Sequence, residues 1–122
     1  MRVLIIDDSR AIRMILGRDM RGLGFEIFEA GNGLEALEKL QEIGAVDLAL
    51  VDWNMPEMNG YEFLCAARSK AELADMRIMM VTTEAEISHM VKALEAGANE
   101  YVIKPFNKEA IEEKIRLIGL IS

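Results

Sequence analysis

The chain is 122 residues long, with 52% hydrophobic and 29% charged residues, a balance that belongs to one globular domain and excludes a disordered chain. Its 21 acidic and 14 basic side chains leave a net charge of −7, which excludes nucleic-acid binding through the bulk field. A single cysteine, Cys65, and a single histidine, His89, exclude intrachain disulfides and Cys- or His-rich metal clusters, and no apolar run is long enough to span a membrane.

The first apolar run, Val3–Ile6, predicts a buried strand that ends in Asp7-Asp8. Ser9 is placed to cap a helix running to about Arg21, with Ile12, Ile15 and Leu16 apolar. Phe25–Glu29 alternates apolar residues with glutamate and reads as an edge strand. A second helix follows over about Gly33–Ile43, with Leu34, Leu37 and Leu40 on one side and Gly44 at its end. The third strand, Leu48–Val51, leads into Asp52-Trp53-Asn54-Met55-Pro56. A third helix starts near Gly60 and uses Phe63, Leu64 and Ala67, with Cys65 read as a small core or near-core residue. Ile78–Val81 is a fourth strand, followed by Thr82-Thr83-Glu84. The fourth helix, about Ala85–Ala96, carries Ile87, Met90, Val91 and Leu94 as one stripe; that spacing reads as a core-facing side. Gly97 stops it. Tyr101–Ile103 is the fifth strand, ending in Lys104-Pro105, and the fifth helix spans about Lys108–Ile118.

Five strands alternating with five helices predict an α/β domain with a parallel sheet and helices on both faces. No leader layout, linker, repeat or low-complexity segment interrupts residues 1–122. The expectation is therefore a single cytoplasmic domain with no output domain. Charge is uneven: residues 23–75 carry eleven acidic and three basic groups, most simply a solvated helix surface around one strand-end aspartate.

Parallel sheets bind ligands beyond the carboxyl ends of their strands. Here those ends carry Asp7, Asp8, Asp52, Thr82 and Lys104. If the first and third strands are neighbours, three carboxylates converge and repel one another. A hard divalent cation, magnesium or manganese, and the Lys104 ammonium would each relieve that repulsion. In such a setting Asp52 could attack phosphorus and become an acyl phosphate, with Thr82 and Lys104 contacting the phosphoryl oxygens. Neither histidine nor cysteine is required.

The acidic pair Asp7-Asp8, the segment Asp52–Pro56 leading to Gly60, strand-end Thr82 and the run Lys104-Pro105-Phe106 together resemble the receiver domains of two-component response regulators. The pattern is most similar to the single-domain, chemotaxis (CheY-like) branch. The likeness covers Met1 to about Ile118 and implies a flavodoxin-like doubly wound (βα)5 fold, its five-stranded parallel sheet ordered 2-1-3-4-5. It implies Asp52 as the phosphoacceptor, Asp8 and Asp52 as metal ligands, Asp7 acting through water, and Asn54 ligating by its backbone carbonyl. Thr82 matches the switch hydroxyl, Lys104 the phosphate-binding lysine, and Tyr101 the aromatic that turns inward on activation. Asn54 and Glu84 match the positions that tune phosphoryl lifetime, and the proline at Pro105 often follows a cis peptide. Thr83 departs from the small residue common there and is expected to crowd the inward path of Tyr101.

The resemblance further implies a histidine kinase as phosphoryl donor, a target protein, and a phosphatase among the partners, with a monomer or weak dimer as the working form. The target is expected on the surface of the fourth helix, fifth strand and fifth helix, with Tyr101, Ala85 and Lys114 as candidates. Trp53 is expected at the mouth of the site. His89 is expected to face solvent without a role. Other uses of the same residues are a phosphate sink, a relay receiver or a fragment of a larger regulator. An aspartyl-phosphate phosphatase would need a second acid two residues past its nucleophile, where Asn54 stands. A flavin binder would need a glycine- and hydroxyl-rich first loop, where Asp7-Asp8 stand.

Overall fold

The computed structural model describes residues 1–122. Strands β1 (Arg2–Ile6), β2 (Glu26–Ala30), β3 (Leu48–Val51), β4 (Arg77–Thr82) and β5 (Glu100–Ile103) alternate with helices α1 (Arg10–Gly22), α2 (Gly33–Ile43), α3 (Gly60–Arg68), α4 (Ile87–Glu95) and α5 (Lys108–Leu117). The strands form one parallel sheet in the order β2-β1-β3-β4-β5. This is the doubly wound order expected, with β2 at an edge. A short 3₁₀ turn at Ala71–Leu73, which no apolar period announces, joins α3 to β4.

Side chains alternate across a strand, and that alternation divides the core. Leu4, Ile6, Ala49, Val51, Ile78, Met80 and Tyr101 pack on one face with Ala36 and Leu40 of α2, Phe63 and Leu64 of α3, and Ala93 of α4. Val3, Ile5, Leu48, Leu50, Met79, Val81 and Val102 pack on the other with Leu16 and Met20 of α1 and Ile111 and Ile115 of α5. The continuous apolar runs are thus strands buried on both faces.

Four helices begin on a side-chain cap: Ser9, Asn32, Asn59 and Asn107 each accept a backbone N–H three residues on. Asn59 and Glu62 complete a reciprocal capping box. Helix α4 has no such cap, and it departs most from expectation. Of its stripe of Ile87, Met90, Val91 and Leu94, only Met90 faces the core. Ile87 is 78% exposed, and Val91 and Leu94 are each 46% exposed. Met90, Ala93 and Ala96 face the sheet instead. The small alanines let the helix lie close, and that choice rotates the larger residues outward.

Cys65 is also exposed, not core. It lies two residues from buried Phe63, which at about 100° per residue places it on the far side of α3.

Candidate functional site

The carboxyl ends of β1, β3, β4 and β5 meet at one rim. Asp7 extends the β1–β2 ladder by one bond, from its N–H to the Ala30 carbonyl at 3.1 Å. Its side chain is therefore held in place and is almost fully buried. Oδ1 accepts from the Ser9 N–H at 2.9 Å, and Oδ2 accepts from Lys104 Nζ at 2.8 Å. Arg13, paired with Glu29 at 3.0 Å, also donates to the Asp7 carbonyl at 2.6 Å. Asp52 is placed the same way, its N–H donating to the Ile6 carbonyl at 2.9 Å. Lys104 Nζ lies 3.7 Å from Asp52 Oδ2. The backbone N–H of Lys104 donates to the Thr82 carbonyl at 2.9 Å, so β4 sets the height of the lysine. The Lys104–Pro105 peptide is cis.

Asp8 is exposed, yet oxygens of Asp7, Asp8 and Asp52 all lie within 4.8 Å of one another. One lysine cannot balance three carboxylates. Asp52 also bears the cost of burial. Burial raises its pKa above the ordinary value, and the Asp7 charge adds to the rise, while the Thr82 hydroxyl, Lys104 and the Asn54 backbone N–H oppose it. Asp52 Oδ1 is buried without a hydrogen-bond partner. A buried orphan oxygen beside two further carboxylates fits a hard divalent cation with oxygen ligands.

A second layer lies under α4. Tyr101 is buried, and its hydroxyl donates to the Glu84 carbonyl at 2.7 Å. Burial first, then the charges of Glu84 and Asp52, push its pKa up to about 12. Thr83 is exposed and leaves the inward position of Tyr101 free, contrary to the expected crowding. An inward Tyr101 also adds nothing to the outer face named for a target. There Ala85 is exposed, and Lys114 is partly exposed and pairs with Glu100 at 3.5 Å. Trp53, which directly follows Asp52, is 9% exposed and stacks on Tyr61 with ring centroids 5.3 Å apart.

His89, expected in solvent, lies 4.9 Å from the Trp53 ring and 2.8 Å from Glu84 Oε1. No local motif marks it. The one sequence signal was its spacing of five residues from Glu84 across a helix start. Asn54, exposed, meets Glu84 Oε2 through Nδ2 at 3.4 Å.

Residues 3–116 match the family model described as the response regulator receiver domain. The chain belongs to that family. This receiver is 38% identical over 119 residues to the chemotaxis protein CheY1 of Helicobacter pylori, covering 97% of this chain and 96% of that one. It is 40% identical over 116 residues to a chemotaxis protein CheY homolog of Campylobacter jejuni, covering 94% and 89%. Among solved structures, chemotaxis protein CheY4 of Vibrio cholerae superposes with a TM-score of 0.89 at 33% identity, over 96% of this chain and 97% of that one. It is therefore a CheY-like receiver of the two-component type, a class that acts as signalling switches, generally with Mg2+, a histidine kinase and a downstream target.

Proposed function

We propose that this receiver is a phosphorylation-activated switch in which Asp52 accepts a phosphoryl group from a histidine kinase. The observation that carries the reading is the meeting of Asp7, Asp8 and Asp52 within 4.8 Å, with the Lys104 ammonium against two of them. Asp8, Asp52 and the Asn54 carbonyl would hold a magnesium or manganese ion, with Asp7 acting through water. When bound, that ion supplies positive charge opposite the phosphoryl oxygens.

The remaining chemistry belongs to the chain. An Asp52 carboxylate oxygen attacks phosphorus in line. The new P–O bond forms as the P–N bond of a phosphohistidine breaks, and the imidazole nitrogen keeps the electron pair. Lys104 and Thr82 contact the transferred oxygens, so charge arriving at the acceptor meets groups already in place. The added charge then favours one arrangement of the Thr82–Glu84 segment and Tyr101, and through them the surface of α4, β5 and α5. That surface carries Ile87, Val91, Leu94 and Ile103, all exposed. An apolar patch on an acidic protein suits a protein target, and likeness to chemotaxis regulators favours a motor-type one.

The test is incubation with acetyl phosphate and Mg2+, followed by intact mass. One added phosphoryl group is expected, suppressed by a chelator and absent in Asp52→Asn. A native protein that gains no mass under these conditions is not the switch proposed.

A further inference from the structure

We infer that His89 is a positioning residue that closes the α4 side of the acceptor site by holding the Glu84 carboxylate against Asn54, and so prolongs the life of a phosphoryl group on Asp52. The inference rests on Asp52 being the acceptor, and it adds a residue from outside the strand ends.

Glu84 is fixed at four points. Its N–H donates to Thr82 Oγ1 at 3.2 Å, and its carbonyl accepts from the Tyr101 hydroxyl at 2.7 Å. These two bonds hold the backbone and leave the side chain to be placed by its own neighbours. On one side Asn54 Nδ2 stands 3.4 Å from Oε2, a long and weak contact. On the other, His89 Nδ1 stands 2.8 Å from Oε1. The shorter contact decides where the carboxylate rests. Nδ1 is buried and makes no aligned hydrogen bond, so the 2.8 Å approach is a close polar contact imposed by packing. Glu86 Oε2, the other acidic atom near it, is farther away at 3.8 Å. The packing comes from Trp53: the two rings meet at 4.9 Å and 49°. Trp53 follows Asp52 directly, and Asn54 follows Trp53. His89 thus bridges α4 to the acceptor loop twice, through an indole face and through Glu84.

Loss of the phosphoryl group requires water to attack phosphorus. The bond from phosphorus to the Asp52 oxygen breaks, Asp52 regains its carboxylate, inorganic phosphate carries the water oxygen, and one proton passes to solvent. Asn54 stands two residues past Asp52 and Glu84 two residues past Thr82, and their side chains meet at 3.4 Å. A Glu84 side chain held between His89 and Asn54 narrows the approach for water, and a released one widens it.

The experiment loads the protein with acetyl phosphate and Mg2+, removes the donor, and follows intact mass with time. His89→Ala is expected to lose the phosphoryl group at least about threefold faster than the native protein, the scale of one modest polar contact. His89→Gln, whose amide keeps a polar group against Glu84 Oε1, is expected to recover most of the native lifetime. In a Glu84→Ala background, adding His89→Ala is expected to change nothing further, because the effect passes through that carboxylate. In unloaded, chelator-treated protein, His89→Ala uncovers the single tryptophan and shifts its emission to longer wavelength, a readout that needs no phosphoryl group. Normal loading followed by unchanged decay in His89→Ala, equal acceleration with and without Glu84, or an unshifted Trp53 spectrum would each overturn the inference alone. No loading of the native protein overturns the acceptor reading and this inference with it.

Discussion

As the proposed acceptor, Asp52 sits under two opposed demands. A nucleophile must stay ionised, yet this carboxylate is 7% exposed, and burial lifts its pKa. A raised folded pKa means that the native state binds the proton more tightly than the unfolded chain does. Stability therefore falls as pH rises from the ordinary value of 3.8 through the raised folded value, and the ionised group remains a cost above that window. Asp52→Asn removes the cost. In chelator, the variant is expected to melt at a higher temperature than the native protein at neutral pH, and the difference should vanish below the ordinary carboxylate range; thermal melts across pH decide it. Asp7, Asp52 and Lys104 were placed together from sequence because a parallel sheet delivers every strand end to the same rim. The contacts of His89 with Trp53 and Glu84 were missed because they depend on where α4 lies, which no local pattern of residues encodes.

Element boundaries were legible wherever a cap or an apolar run marked them. Helix α2 and strand β3 fall on their expected spans, whereas α4, which has no side-chain cap, is shorter at both ends than the expected Ala85–Ala96. Its exposed stripe shows why spacing alone misleads. Periodicity reports that a helix has an apolar side, and the alanines decide which side meets the sheet. Two junctions between elements rest on contacts that spacing does not announce. Gly60 begins α3 with its N–H on the Trp53 carbonyl at 2.9 Å, and a Cβ there would overlap the Asp52 carbonyl. Gly60→Ala is therefore expected to cost about 1–3 kcal/mol in urea unfolding, by forcing α3 off the acceptor loop. Arg68, at the end of α3, donates to the carbonyls of Gly97 at 3.0 Å and Leu73 at 3.2 Å and to Asn99 Oδ1 at 3.0 Å. Asn99 Oδ1 in turn accepts the Ile78 N–H at 2.8 Å. Arg68→Ala should destabilise by about 2–3 kcal/mol, and Arg68→Lys should recover little of it, since one ammonium cannot reach three acceptors in a fork.

Across the whole molecule, the two faces of the sheet are closed; of the exposed large apolar residues, Ile87, Val91, Leu94 and Ile103 lie on α4 and the end of β5, while Met14, Ile15, Leu34 and Leu117 are scattered over α1, α2 and α5. If Ile87 and Val91 serve recognition and not the core, Ile87→Ser and Val91→Ser should each change unfolding free energy by no more than about 0.5 kcal/mol. Leu64→Ala, in the core, should cost about 2–5 kcal/mol by the same chemical-denaturation measurement. Comparable losses at all three positions would return the α4 stripe to the interior. The strand-end rim has a different consequence. Asp7 and Lys104 touch at 2.8 Å across 97 positions of sequence, with the other site strands threaded between them. A nascent or clipped polypeptide that stops short of β5 still carries Asp52 but lacks Lys104, the ammonium that faces it. Under the proposed function, the acceptor and its facing ammonium come together only once β1, β3, β4 and β5 are all in place.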